Sequence, residues 1–290
     1  MITVQPHFGW ENVLVLANKQ VELFITLDVG PRILRFAYRG GKNVFKEYAA
    51  QLGTTGEKTW LNRGGHRLWV APELKGTYYP DNRAVQAAVI DDFTVSVRAA
   101  PETANGWQKE IIVALSPAKN EVKVTHQLRA LRDIKFDTAL WALSVMAAGG
   151  VAIVPQPKLG THPRDLLPTR VVVPWAYTSL SDPRLTFTEK RWLVRQDAGA
   201  RKPIKFGLLH TEGKVGYLNG NLLFTKTIAL KKGAAYPDFG VNTELFTDQD
   251  MLEVESLAPL SRLKKGQVTE HVETWTLQKV TNTNPLTVRL

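Results

Sequence analysis

The sequence predicts an all-β protein, a single large β-sandwich of antiparallel sheets over residues 1–290. Strand-like runs rich in Val, Ile, Thr, Phe and Trp follow one another along the chain, and many alternate apolar with polar residues at period two. Glycine-bearing pairs fall between the runs, where strands end or hairpins turn. No convincing amphipathic segment of helical period interrupts them. With no helices to cover a parallel sheet, the strands must pair antiparallel and pack sheet on sheet.

Taken in order, Val21–Phe24 and Arg32–Tyr38 come first and end at Gly40-Gly41. Phe93–Arg98 and Glu110–Leu115 flank Asn105-Gly106. In Glu121–Leu131, Val122, Val124, His126 and Leu128 share one face, while Glu121, Lys123, Thr125, Gln127 and Arg129 share the other. That is a strand half in a core and half in water. Ala139–Met146 and Val151–Pro155 surround Gly149-Gly150. Thr169–Tyr177, Arg184–Gln196, Ile204–His210 and Lys214–Leu218 follow, the last two as a hairpin about Glu212-Gly213. Leu222–Leu230, Asn242–Phe246, Met251–Leu257 and Val268–Val280 complete the series.

One stretch reads differently. Trp60–Asn82, WLNRGGHRLWVAPELKGTYYPDN, crowds Trp60, Trp69, Tyr78 and Tyr79 beside Arg63, His66, Arg67, Glu73 and Asp81. Flat rings suit the C–H faces of a sugar, and guanidinium, imidazole, amide and carboxylate groups suit its hydroxyls. The same residues also suit a structural loop in which tryptophans pack and arginines tie down their own backbone. Residue types alone leave both readings open.

Composition removes several classes. The chain has no cysteine, which excludes disulfides, thiolate metal sites and a cysteine nucleophile. The start, MITVQPHFGW, lacks the pattern of a signal peptide, and no run of about 18 apolar residues exists, so a cytoplasmic protein without membrane attachment is expected. The net charge of +10 attracts anions, but the basic residues are scattered. Nucleic acid is therefore not expected as a partner, whereas an anionic carbohydrate is permitted. On a strand, Glu270 faces away from His271 and Glu273, leaving two metal ligands, and no HExxH, GxSxG, Walker or GxGxxG pattern occurs. Neither a metal nor another cofactor is expected. His126 reads as a core histidine.

Four landmarks carry a resemblance: VGPRILRFAYRGGKNVF (Val29–Phe45), NRGGHRLWVAPE with YYPDN, ALWALSVMAAGGVAIVPQP (Ala139–Pro157), and Asn242–Leu277. In this order they resemble the galactose mutarotase-like superfamily, and within it a poorly characterised bacterial branch. The resemblance implies a β-supersandwich and, in true mutarotases, interconversion of sugar anomers by general acid–base catalysis without metal or nucleotide. It also implies Glu255 as the base, with Glu253 on the same strand face as the alternative. The family's central-strand histidine has no counterpart, since TALWALSVM places Trp141 near that position. His66 is then the candidate proton carrier. Arg63 and Arg67 become candidates to hold hydroxyls, a carboxylate or a phosphate, with Glu73 and Asn82 beside them and Trp69 and Trp141 as stacking platforms. Three readings stay open: an epimerase-like enzyme, a non-catalytic sugar-binding module, and a structural or interaction sandwich without a sugar.

Overall fold

The structure, a computed structural model, describes residues 2–290. Alternation and turn chemistry resolve into twenty strands among the described residues. The first are β1 (Ile2–His7), β2 (Trp10–Ala17), β3 (Val21–Thr26), β4 (Arg32–Tyr38) and β5 (Gly65–Ala71). Next come β6 (Gln86–Asp91), β7 (Thr94–Arg98), β8 (Trp107–Leu115), β9 (Glu121–Ala130) and β10 (Ala139–Met146). They are followed by β11 (Val151–Pro155), β12 (Val172–Pro174), β13 (Leu185–Phe187), β14 (Arg191–Arg195) and β15 (Ile204–Leu208). The last are β16 (Lys214–Asn219), β17 (Leu222–Ile228), β18 (Thr243–Thr247), β19 (Leu252–Leu257) and β20 (Val268–Lys279).

They form two ten-stranded sheets. One has the order β1-β2-β3-β4-β5-β10-β19-β18-β15-β12, the other β13-β14-β11-β16-β17-β20-β9-β8-β7-β6. Neighbouring strands are antiparallel throughout. The inner faces share one core, in which Leu68, Leu140, Val254 and Phe206 of the first sheet meet Val95, Ile111, Phe224 and Trp275 of the second. Burying each such side chain contributes about 1.5–3 kcal/mol. The alternation read in β9 holds: Val122, Val124, His126 and Leu128 are buried, and Lys123 and Arg129 are exposed.

The expectation needs correcting at several places. Arg184–Gln196 divides into β13 and β14, and β1, β2 and β6 are additional strands. More consequentially, the middle of Trp60–Asn82 is not loop. Gly65–Ala71 is β5, an interior strand of the first sheet whose seven residues are all buried. Both faces of β5 are covered, so it lacks the apolar–polar alternation that marks a half-exposed strand.

β5, β10, β19, β18 and β15 lie side by side although they come from four separate parts of the chain, with β18 and β19 joined as a hairpin. Residues directly opposite each other in an antiparallel pair point to the same side. Arg67 is opposite Leu143, which is opposite Glu255, which is opposite Glu244. In the row toward the other strand ends, Glu253 is opposite Phe246, which is opposite Lys205. Trp69 is opposite Trp141 on the far side of the Arg67 row. All of these side chains project from the outer face of the first sheet, away from the shared core.

Candidate functional site

The entry into β5 fixes which of its residues face outward. Arg63, Gly64 and Gly65 have φ of 55°, 83° and 72°, a left-handed turn that delivers the chain to the sheet. A Cβ at Gly64 would lie 1.9 Å from the Lys46 carbonyl oxygen, and one at Gly65 2.4 Å from that of Ile33. Glycine is therefore required at both positions. From there alternation turns Arg67 and Trp69 outward and His66 and Leu68 into the core.

Outside the sheet lies a cleft of about 460 Å³. Trp60, Trp69, Tyr78, Trp141, Trp175 and Tyr177 supply its rings, and Arg67, Lys205, Glu73, Asp248 and Glu253 its charges. Trp69 is the hub of the ring cluster, with centroids 5.0 Å from Trp60, 4.9 Å from Tyr78 and 5.5 Å from Trp141, all edge to face. The cations are held against the rings. Arg67 lies 4.8 Å from the Trp69 centroid and 5.2 Å from that of Trp60. The Lys205 ammonium lies 4.3 Å from Trp141 and 4.7 Å from Trp175. Each such contact contributes about 0.5–2 kcal/mol, and each occupies ring surface that a ligand would otherwise use.

Both cations are also paired. Arg67 Nη2 donates to Glu253 Oε1 at 2.9 Å. Lys205 Nζ sits 2.7 Å from Glu244 Oε2 and donates to Glu255 Oε2 at 3.1 Å. Trp141 Nε1 donates to the same Glu255 oxygen at 2.7 Å. Arg67 Nε and Nη1, Glu255 Oε1 and Trp60 Nε1 make no hydrogen bond within the protein. A buried polar atom without a partner costs about 1–3 kcal/mol, and those of Arg67 and Trp60 belong to side chains that line the cleft.

Burial raises the pKa of the Glu253 carboxyl; Arg67 opposes the shift and the nearby Glu255 charge reinforces it. Glu244 is pushed well above the usual carboxylate range, again chiefly by burial. Asp238, near Glu244, is raised for the same reason. Burial alone would discharge Lys205, but Glu255 and Glu244 outweigh it and hold its pKa above the ordinary value. The floor of the cleft is thus a set of carboxyl groups around two fixed cations, with burial raising the proton affinity of Glu253 and Glu244.

The expected site residues divide. Arg67, Trp69, Glu73, Trp141 and Glu253 all line the cleft. Glu255 is on the same face but fully buried, locked between Lys205 and Trp141, so Glu253 is the carboxyl that a ligand can meet. His66 is not at the cleft: it is fully buried on the opposite face of β5, and its assignment as proton carrier there does not hold. Arg63 and Asn82 also fall elsewhere. Arg63 bonds to Glu57, Asn82 and the Gln51 backbone, and Asn82 donates to the carbonyls of Glu57 and Thr59. They tie down a loop beside a separate cavity of about 290 Å³. Sequence reasoning did not single out Lys205, Glu244, Trp175 or Tyr177. The alternation Lys205–Phe206–Gly207 was the available signal, a charge on the outer face of a strand whose next residue is core.

The inner face of the same strands carries a second polar cluster. His66 Nδ1 meets Ser144 Oγ at 2.9 Å, and His66 Nε2 meets His126 Nε2 at 2.7 Å. His126 Nδ1 lies 3.0 Å from the His271 carbonyl, and His271 Nε2 2.6 Å from Ser256 Oγ. Ser256 donates to Glu273, which also receives Lys226 at 2.9 Å and the Trp275 indole at 2.8 Å. Partner chemistry assigns the protons. The carbonyl requires His126 Nδ1–H, so His126 Nε2 accepts from His66 Nε2–H, and Ser144 donates to His66 Nδ1. Burial lowers the pKa of all three histidines, that of His271 to about 3, which keeps them neutral. Burial opposes ionisation of Glu273, but Lys226 overcomes it and holds the carboxyl below its usual range.

His66, His126 and Glu273 place one ligand atom each within 4.8 Å of one another, a grouping of β5, β9 and β20 that sequence spacing does not reveal. Tetrahedral zinc with Zn–N of about 2.0–2.1 Å sets its nitrogens roughly 3.3 Å apart. The 2.7 Å contact is that of a hydrogen bond, and Glu273 is already engaged by Lys226, Ser256 and Trp275. These residues do not fit a metal ion as they stand.

No family model matches the sequence, and none of the curated proteins does. Solved structures do. A galactose mutarotase-like protein from Lactobacillus casei is 12% identical, with 92% of this chain and 100% of that chain covered and a TM-score of 0.56. One from Clostridium acetobutylicum is 12% identical, with 97% and 99% covered and a TM-score of 0.58. Galactose 1-epimerase from Lactobacillus acidophilus is 10% identical, with 97% and 98% covered and a TM-score of 0.50. With its two ten-stranded antiparallel sheets, the chain has the galactose mutarotase-like fold.

Proposed function

We propose that the protein binds a small carbohydrate in the cleft outside β5, β10, β19, β18 and β15. The observation that carries this is the pairing of six aromatic side chains with polar atoms of cleft-lining residues that have no partner within the protein: Arg67 Nε and Nη1 and Trp60 Nε1. A pyranose offers what such a site lacks, hydroxyls that both donate and accept, and C–H faces that lie on rings. The cleft volume suits one or two sugar rings. The likeness to galactose mutarotase-like structures agrees with a carbohydrate ligand. Calorimetric titration with a panel of aldoses tests the reading. Saturable binding that Trp69→Ala removes supports it, and no heat from any member of a broad panel refutes it.

A second reading, catalysed anomer exchange, is favoured by Glu253. Its carboxyl lines the cleft, and burial raises its proton affinity above that of an ordinary carboxylate. A protonated carboxyl can give its proton to the ring oxygen while its other oxygen accepts the proton of the anomeric hydroxyl. The C1–ring oxygen bond breaks, the aldehyde forms, and reclosure on the other face returns both protons. One carboxyl balances the cycle without a histidine. Exchange NMR on aldoses decides this: acceleration above the buffer rate that Glu253→Gln abolishes supports catalysis, and buffer-rate exchange by the unmodified protein leaves binding alone.

A further inference from the structure

The whole chain is strongly basic, yet the cleft is acidic. Its fixed cations, Arg67 and Lys205, are both matched at contact distance, Arg67 by Glu253 and Lys205 by Glu244 and Glu255. Glu73 and Asp248 add two further carboxylates at the walls. Five carboxyl groups therefore face two cations. The scattered surface cations act through water and salt, whose screening length is about 8 Å, whereas charges within the cleft act at contact.

We propose that the cleft selects a sugar bearing a protonated amine and rejects uronates and sugar phosphates. This rests on the carbohydrate reading above and names the ligand class. The ammonium sits against Glu253 and Glu73, with the rings of Tyr78 and Trp69 beside it; Glu73 already accepts from the Tyr78 hydroxyl on that wall. Arg67 does not reverse the preference. Its charge is spent on Glu253, and its free Nε and Nη1 take hydroxyl oxygens. An added carboxylate or phosphate would have to enter beside Glu253, Asp248 and Glu73 with no unmatched cation to receive it.

The test is calorimetry at pH 7 with matched sets in the gluco, galacto and manno configurations: parent sugar, 2-amino sugar, its N-acetyl form, the uronate and the 6-phosphate. In the configuration that binds, the amine should be at least tenfold tighter than parent or N-acetyl sugar, with an advantage that shrinks as salt rises. The uronate and phosphate should give no saturation. Glu73→Gln, at an exposed position where folding is not at risk, should cut the amine's affinity several-fold more than the parent sugar's. Glu253→Gln, checked for folding by thermal melting, should cut that advantage further. An acidic sugar that binds as tightly as its parent overturns the proposal and leaves carbohydrate binding standing, as does an amine with no advantage or one insensitive to both substitutions. No binding by any sugar overturns both.

Discussion

Strands β5, β10 and β19 carry a polar cluster on each face, and the two obey opposite rules. Inside, His66, Ser144, His126, His271, Ser256, Glu273 and Lys226 form a closed set in which every polar side chain has a protein partner. Outside, one residue along each strand, Arg67 and Glu255 keep atoms that nothing in the protein satisfies. Both faces contain a lysine held by carboxylates, so burial and charge do not separate them. Completeness does. A closed network fixes how the two sheets face each other, and an open one keeps capacity for something that comes from solution.

The largest effect should come from opening the closed set. Glu273→Gln leaves Lys226 buried without its counter-charge and should cost about 3–5 kcal/mol, read by urea unfolding. The outer Glu253→Gln, whose partner Arg67 keeps its contacts with the Trp60 and Trp69 rings, should cost clearly less, on the order of 1–2 kcal/mol. Equal costs would remove the distinction between the faces.

A pH series sharpens it. His66, His126 and His271 titrate in the folded protein below the 6.5 of an unfolded chain. Below about pH 6.5 the unfolded state therefore binds protons that the folded state refuses. Stability should be level with respect to these groups above that pH and fall beneath it, by up to roughly 1.4 kcal/mol per pH unit for each histidine. Glu273, lowered in the folded state, adds a loss that begins near pH 4.5 and continues as pH falls. Denaturant midpoints at pH 7.5, 6 and 5 measure the histidine part. Because the raised Glu244 and Glu253 carboxyls gain stability as pH falls over the same range, the profile is compared with that of His271→Asn, and an unmodified protein that loses no more than this variant down to pH 5 would mean that the cluster is not neutral as assigned.

The smallest stability effect should come from Trp175→Ala. This ring is half-buried at the cleft wall, so folding should change by less than about 1 kcal/mol while sugar affinity falls about tenfold, equivalent to 1.4 kcal/mol. Calorimetry beside thermal melting separates the two.

The sequence made the sheets legible because most strands bury one face and wet the other, as β9 does. It concealed β5, whose outer side is covered by Trp60 and the cleft, and that lost strand carries Arg67. Arg67 and Trp69 stood out because their chemistry suits a sugar whatever the register, and Trp141 and Glu253 through the family resemblance; all four line the cleft. Which side His66 faces was not, since one residue of alternation separates it from Arg67. Lys205 and Glu244 were hidden for another reason: their partners lie on different strands, and only sheet order brings them under the cleft.

The most direct test follows the indole N–H signals by NMR while the sugar found by calorimetry is added. Trp60 Nε1 is unpartnered and Trp141 Nε1 bonds Glu255 on the outer face, whereas Trp275 Nε1 bonds Glu273 on the inner one. The Trp60 and Trp141 signals should move with saturation and the Trp275 signal should stay. Movement of Trp275 with Trp60 and Trp141 unchanged would place the ligand elsewhere and contradict the account.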